Sequence, residues 1–166
     1  MRLALAAVAA VVAALLQASL TPYVSIGDAA PDLVLVVVLL WVSFGGLDGA
    51  MVAAFVGGIT VDALMARPLG STSFVLLLAV GAASLVARTG ARSRIPLLVL
   101  AAFVLSVATA LLWLLVYGAL AGPVPASDPM GSAIPDAIYT TVVFVAALPI
   151  VILLRRRFGE QERVAW

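Results

Sequence analysis

The sequence predicts an all-α membrane protein, a bundle of six transmembrane helices that forms one transmembrane domain over residues 1–166. Two observations support this prediction. First, apolar residues make up 65% of the chain, charged residues only 10%, and the mean hydropathy is +1.27. A soluble domain is about 45–50% apolar and about 25% charged. Second, all but one of the apolar runs are close to the roughly 20 residues that cross a bilayer core, and only the run from Leu33 to Phe44 is short for a crossing.

Turn-forming and charged residues separate these apolar runs. Pro22 is expected to end the first helix and Pro149 to kink the last, because proline lacks the N–H that a helix uses. Asp32, Asp48 and Asp136 precede the second, third and sixth runs, where a carboxylate can cap the first helical turn. The predicted helices cover residues 3–20, 33–44, 49–65, 71–87, 95–120 and 134–154.

Arginine supplies all nine cationic side chains, and its distribution predicts the orientation. With six crossings, only Arg67 lies at one end of the bundle and the other eight arginines lie at the opposite end. The positive-inside rule therefore places both termini in the cytoplasm. The residues predicted to fix this topology and to anchor the chain to anionic lipids are Arg88, Arg92, Arg94, Arg155, Arg156 and Arg157.

The first apolar run has an alternative interpretation as a secretory signal peptide. Arg2 precedes it, and cleavage near Ala18 would release it. Leu16-Gln17-Ala18 is a poor small-x-small cleavage site, which favours a retained helix. The other five helices would keep their orientation in either case.

Small residues recur every four positions along the third predicted helix and form two adjacent stripes. Such stripes let a neighbouring backbone come close, which is how helices associate in lipid. They either pack this helix within the monomer or contact a partner, including a second copy of the chain. Both interpretations place the helix at the centre of the bundle, and under the second a bulky residue at Gly57 or Gly58 would abolish binding without unfolding. The stripes consist of Gly46, Ala50, Ala54 and Gly58, and of Gly45, Gly49, Ala53 and Gly57.

Asp62 continues the first stripe and is the only acidic residue well inside an apolar run. Acidic residues within a membrane are costly and commonly functional, so Asp62 is a candidate site residue. The alternative is that Asp62 lies near the outer interface, where it pairs with Arg67 or caps the turn before the fourth helix.

The residue types argue against an enzyme. Histidine and cysteine are absent, which removes the commonest general base and any thiolate ligand. No second intramembrane carboxylate accompanies Asp62, and no glycine-rich loop ends in lysine. We therefore expect no catalytic residues, no cofactor and no metal.

Three motifs, in order along the chain, carry a family resemblance. They are Gln17-Ala-Ser19 with Thr21-Pro22, then Pro31-Asp32-Leu33, then Gly45-Gly46-x-x-Gly49-Ala50 continued by Ala54-Phe55-x-Gly57-Gly58-x-x-x-Asp62 and Pro68-Leu69-Gly70. In these motifs, and in its size and helix count, the chain resembles the MreD family of bacterial rod shape-determining proteins. The last third, from Ile95 onward, matches only in hydrophobicity and in its basic end.

This resemblance implies a non-enzymatic scaffold in the bacterial inner membrane. MreD proteins bind the bitopic protein MreC and help to couple MreB filaments to peptidoglycan synthases. Their fold is similar to the substrate-binding subunits of energy-coupling-factor vitamin transporters. The alternative function is therefore a substrate-binding subunit of a small-molecule transporter. The likeness implies a polar pocket or partner contact near the outer face, with the candidate residues Gln17, Pro31, Asp32, Asp62 and Arg67.

Overall fold

The computed structural model describes residues 2–24, 30–88, 94–121 and 129–158, and these residues form six α-helices. The predicted all-α class and the six predicted helices are confirmed. Their bounds are α1 Arg2–Val24, α2 Leu33–Phe44, α3 Leu47–Leu64, α4 Ser71–Arg88, α5 Arg94–Ala121 and α6 Pro129–Phe158.

Three helices are long and apolar enough to cross a membrane. These spans are Leu3–Leu20 in α1, Leu47–Leu64 in α3 and Ile134–Leu153 in α6. Among the described residues, α2, α4 and α5 carry shorter apolar stretches of 10–17 residues. The length and composition of the helices therefore support a membrane protein.

The largest differences from the predicted bounds are at the end of α1 and at both ends of α6. α1 continues through Pro22 to Val24. Proline removes only one N–H, and the helix ends two residues later, so few bonds are affected. α6 begins at Pro129, because proline at the first helical position loses no helical hydrogen bond. Asp136 consequently lies inside α6, and the prediction that it precedes this helix and caps its first turn is wrong.

The central helix of the bundle is α2, since it packs against each of the other five helices. α3 packs against α1, α2 and α4, so the prediction that the third helix occupies the centre is wrong. The reason is that α2 is apolar on every side, as a fully surrounded helix must be. Its Val34, Leu35 and Val38 are completely buried. By contrast, Phe55 of α3 is 53% exposed.

Alanine residues let α1 approach the rest of the bundle closely. Ala6, Ala10 and Ala14 are completely buried and lie four residues apart, so they share one face of α1. α1 packs on α2 and α3, whereas α5 packs between α4 and α6. These contacts bring the end of α1, the start of α2, the end of α3 and the starts of α4 and α6 to one end of the bundle.

Candidate functional site

The chain segment that leads into α2 is held by side chains of α6. The N–H of Ala30 donates to Oδ1 of Asp136 at 2.8 Å, and the N–H of Asp32 donates to Oγ1 of Thr140 at 3.0 Å. Thr140 is completely buried and Asp136 is half-buried. A peptide N–H away from water needs an acceptor, and the need is strongest in a membrane. The two bonds therefore fix this segment against α6.

α1 supplies a third acceptor to the same segment. The N–H of Val34 donates to Oε1 of Gln17 at 3.2 Å. Asp32 accepts the N–H of Leu35 at 3.0 Å, from an extended backbone conformation that is typical of an N-cap residue. The predicted capping role of Asp32 is confirmed. We refer to the four side chains that hold this segment as the α2-start cluster, and they are Gln17, Asp32, Asp136 and Thr140.

Arg67, in the connection from α3 to α4, acts electrostatically on this cluster. Burial raises the pKa of the Asp32 carboxyl, whereas the N–H of Leu35 and the positive charge of Arg67 lower that pKa. Pro31 is buried directly before Asp32. The structure therefore brings three of the five candidate pocket residues to one place, namely Gln17, Pro31 and Asp32.

Asp62, the fifth candidate, holds the start of α4. Its side chain is completely buried. Oδ2 accepts the N–H groups of Gly70 at 2.8 Å and Thr72 at 3.2 Å, and Oδ1 accepts the hydroxyl of Ser71 at 3.3 Å. The first N–H groups of a helix have no partner within that helix, and a carboxylate there also meets the positive end of the dipole. Asp62 therefore caps α4. This agrees with the alternative interpretation from the sequence, in which Asp62 caps the turn before the fourth helix.

One stripe of small residues on α3 faces α2. A Cβ atom added to Gly49 of α3 would meet the indole ring of Trp41 of α2; one added to Gly45, which caps the end of α2, would lie 2.5 Å from Cδ1 of the same ring. One added to Gly57 would lie 2.7 Å from Cγ1 of Val34. Gly49 and Gly57 of α3 are thus too close to α2 for a larger residue.

The other stripe brings the backbones of α3 and α4 into contact. A Cβ atom added to Gly58 would lie 2.5 Å from both the N and Cα atoms of Ser73. The Ser73 hydroxyl donates to the carbonyl of Phe55 at 2.9 Å, which closes the same contact. A bulky residue at Gly58 would have to separate the two helices. The expectation that such a residue spares the fold is therefore wrong at this position.

The remaining stripe residues divide between the core and a turn. Ala50, Ala53 and Ala54 are completely buried. Gly45 and Gly46 are exposed between α2 and α3. Gly46 has φ +95°, a backbone conformation that strongly favours glycine. Most of both stripes thus lies inside the monomer.

The arginines predicted to act as topology determinants lie at helix ends. α4 ends at Arg88, α5 begins at Arg94, and residues 155–157 belong to the last turns of α6. Arg92 lies outside the described residues, as do the side chains of the other arginines in this set. The orientation that they imply stays a prediction.

Comparison with known proteins identifies the family. The family model for rod shape-determining protein MreD matches residues 1–158 of the 166-residue chain. The chain belongs to the MreD family. The match extends through the last third, where the sequence motifs gave no specific signal. No curated protein and no solved structure matches the chain. The similarity of this MreD chain to transporter substrate-binding subunits therefore stays a prediction.

Two members of the α2-start cluster of this MreD protein, Asp136 and Thr140, lie on α6 and are not predictable as partners of α2 from the sequence. No sequence motif singles out Thr140, and the sequence predicts only a helix cap for Asp136. Their partners lie 108 and 106 residues away along the chain, and local periodicity does not report such pairs. One signal was available: Asp136 and Thr140 are four residues apart, so they share one face of α6.

Proposed function

We propose that this chain is a non-enzymatic scaffold subunit of the bacterial rod complex, which binds MreC within the inner membrane and helps to regulate peptidoglycan synthesis and cell shape. It crosses the membrane six times with both termini in the cytoplasm. Through MreC it acts on MreB filaments and peptidoglycan synthases. The observation that carries this proposal is the MreD family match over residues 1–158.

The polar groups of the chain support a structural rather than a chemical role. The Asp62 carboxylate accepts three donors of its own chain, and Asp32 and Asp136 each accept a backbone N–H. Among the residues that the structure describes, no three His, Cys, Asp or Glu side chains lie together in a way that holds a metal ion. Groups that stabilise helix ends in this way are poorly available for acid–base work.

The lipid-facing side of the α3–α4 pair is the proposed contact for the MreC transmembrane helix. Phe55 of α3 and Phe74 of α4 are 53% and 55% exposed, and the Ser73 hydroxyl bond to the Phe55 carbonyl holds the two helices together there. Met51 and Ile59 extend the exposed row on α3. Large aromatic side chains supply much of the energy of protein interfaces, and close backbone packing gives this pair a fixed shape.

Co-purification tests the proposal directly. The chain is co-expressed with the MreC protein of the same genome, solubilised in a mild detergent and isolated through a tag on MreC. We expect the wild-type chain to co-purify in a fixed ratio and the F55A/F74A variant to lose most of the bound chain. The control variant I150A/L153A removes exposed apolar side chains of α6, which are 59% and 64% exposed, and should bind as the wild type does.

Two results would contradict the proposal at different levels. If the wild-type chain and MreC separate completely while both remain monodisperse, the proposal that MreC is the partner is wrong. If the complex forms and both variants bind equally well, MreC is the partner but does not bind at the α3–α4 surface. A stoichiometric small molecule that stays bound to the purified chain in place of MreC would favour the transporter-subunit alternative.

A further inference from the structure

The hydroxyl of Thr72, the second residue of α4, is buried without a partner. Thr72 is 8% exposed, and among the residues that the structure describes its Oγ1 is the one buried side-chain oxygen or nitrogen with no hydrogen bond. Buried polar groups are almost always hydrogen-bonded, and an unsatisfied group is especially costly where lipid replaces water. The Thr72 hydroxyl therefore indicates a bound group that the protein itself does not supply.

The usual local partner of a helical threonine is already occupied at this position. A threonine in a helix can donate its hydroxyl to the carbonyl four residues earlier, as Thr60 of α3 does at 2.7 Å. Four residues before Thr72 is Pro68, whose carbonyl accepts the N–H of Ser71 at 3.2 Å and the hydroxyl of Ser71 at 2.8 Å. Because a carbonyl oxygen has two lone pairs, Pro68 has no free acceptor site left for Thr72.

An acceptor with free capacity lies beside Thr72. The backbone N of Thr72 lies 3.3 Å from Oδ1 and 3.2 Å from Oδ2 of Asp62. Because this N atom and Oγ1 belong to the same residue, the hydroxyl and the carboxylate are within reach of one small bridging molecule. The carboxylate has about four lone-pair sites and serves three donors, namely the N–H groups of Gly70 and Thr72 and the hydroxyl of Ser71. It can therefore accept a further donor.

We propose that one water molecule bridges the Thr72 hydroxyl and the Asp62 carboxylate at the start of α4. The hydroxyl donates to the water oxygen, and the water donates to the carboxylate. A buried water is held by about two to four polar partners, and these two groups supply the lower number. A cation fits less well, because the N–H groups of Gly70 and Thr72 and the positive end of the α4 dipole already face the carboxylate. The site joins α3 to α4 and does not depend on the MreC interaction.

Solid-state NMR of the full chain in lipid bilayers detects such a water by the transfer of polarisation from water protons to nearby amide protons. We expect transfer to the amide of residue 72 in the wild type and in T72S, which keeps the hydroxyl, and loss of most of this transfer in T72V. Bulk water at the membrane surface reaches the three proteins alike, so the difference between them reports the bound molecule. Leu78, which lies further along α4 and is 45% exposed, is the reference residue and should receive little polarisation in all three.

The stability of the same variants is an independent readout, measured as the SDS fraction at which the chain unfolds in mixed micelles. Valine has nearly the shape of threonine, and T72V should unfold at a lower SDS fraction than the wild type because it loses the bridge to Asp62. A hydroxyl without any partner would give the opposite result, because its removal relieves the cost of burying it. T60V is the matched control and should unfold close to the wild type, since the Thr60 hydroxyl bonds only within α3.

Three results would overturn the proposal of a bound water. The first is that Thr72 of the wild type receives no polarisation from water. The second is that T72V, with wild-type helix content by circular dichroism, unfolds at the same SDS fraction as the wild type or at a higher one. The third is that replacing choline chloride by sodium chloride stabilises the wild type but not T72V, which would show a cation in place of water.

Discussion

Replacement of Asp62 by alanine is the most informative single change in this protein. The side chain is completely buried and accepts the N–H groups of Gly70 and Thr72 and the hydroxyl of Ser71. Ser71 also donates to the carbonyl of Pro68 at 2.8 Å, so its hydroxyl keeps a partner in the variant. The two N–H groups would lose theirs, which opens the start of α4.

The size of the effect follows from these two donors. A buried donor left without an acceptor costs about 1–3 kcal/mol, so D62A should lose about 2–6 kcal/mol of stability. By comparison, removing an N-cap residue that is exposed to solvent usually costs about 1 kcal/mol of stability. D62N keeps one carbonyl oxygen and should lose less than D62A.

The assay is equilibrium unfolding in mixed micelles, in which the fraction of SDS at the midpoint is followed by circular dichroism. Asp48 provides the control, because it is exposed in the first turn of α3. D48A should lose only its interaction with the helix dipole, about 0.3–1 kcal/mol. The conclusion that Asp62 caps the start of α4 is wrong if D62A unfolds at the same SDS midpoint as D48A. It also fails if D62N has wild-type stability and yet no longer binds MreC.

Two further pairs of variants test the packing of the bundle. G58A should destabilise the protein, because the added Cβ meets the Ser73 backbone at 2.5 Å, whereas G81A should stabilise it by about 1 kcal/mol, since nothing lies within 4 Å of that position. Equal midpoints in SDS would show that α3 and α4 are not in backbone contact. T140V should cost about 1 kcal/mol by leaving the Asp32 N–H without its acceptor, while T141V, whose hydroxyl bonds only within α6, should cost less. A larger loss for T141V would contradict the role given to the α2-start cluster.

Short-range features of this chain were predictable from its sequence. The cap at Asp32 and the two stripes of α3 depend on residues three or four positions apart, and the helix geometry fixes those relations. Asp62 was only partly predictable. Its position in an apolar run indicated a buried carboxylate, but the donors that satisfy it lie on the next helix and depend on how the α3–α4 connection folds.

The sequence by itself determined the membrane class, the six helices, and the stripes that make α3 a close-packing helix. Only the tertiary structure decided that α2 is the central helix, that Asp136 and Thr140 hold its start, and that Gly58 meets the backbone at Ser73. The physical reason is the solvent. In lipid, a side chain that faces the bilayer is as apolar as one that faces the core, so hydrophobic periodicity does not reveal which helices are neighbours. The interhelical hydrogen bonds depend on that arrangement, and they were therefore visible only in the folded chain.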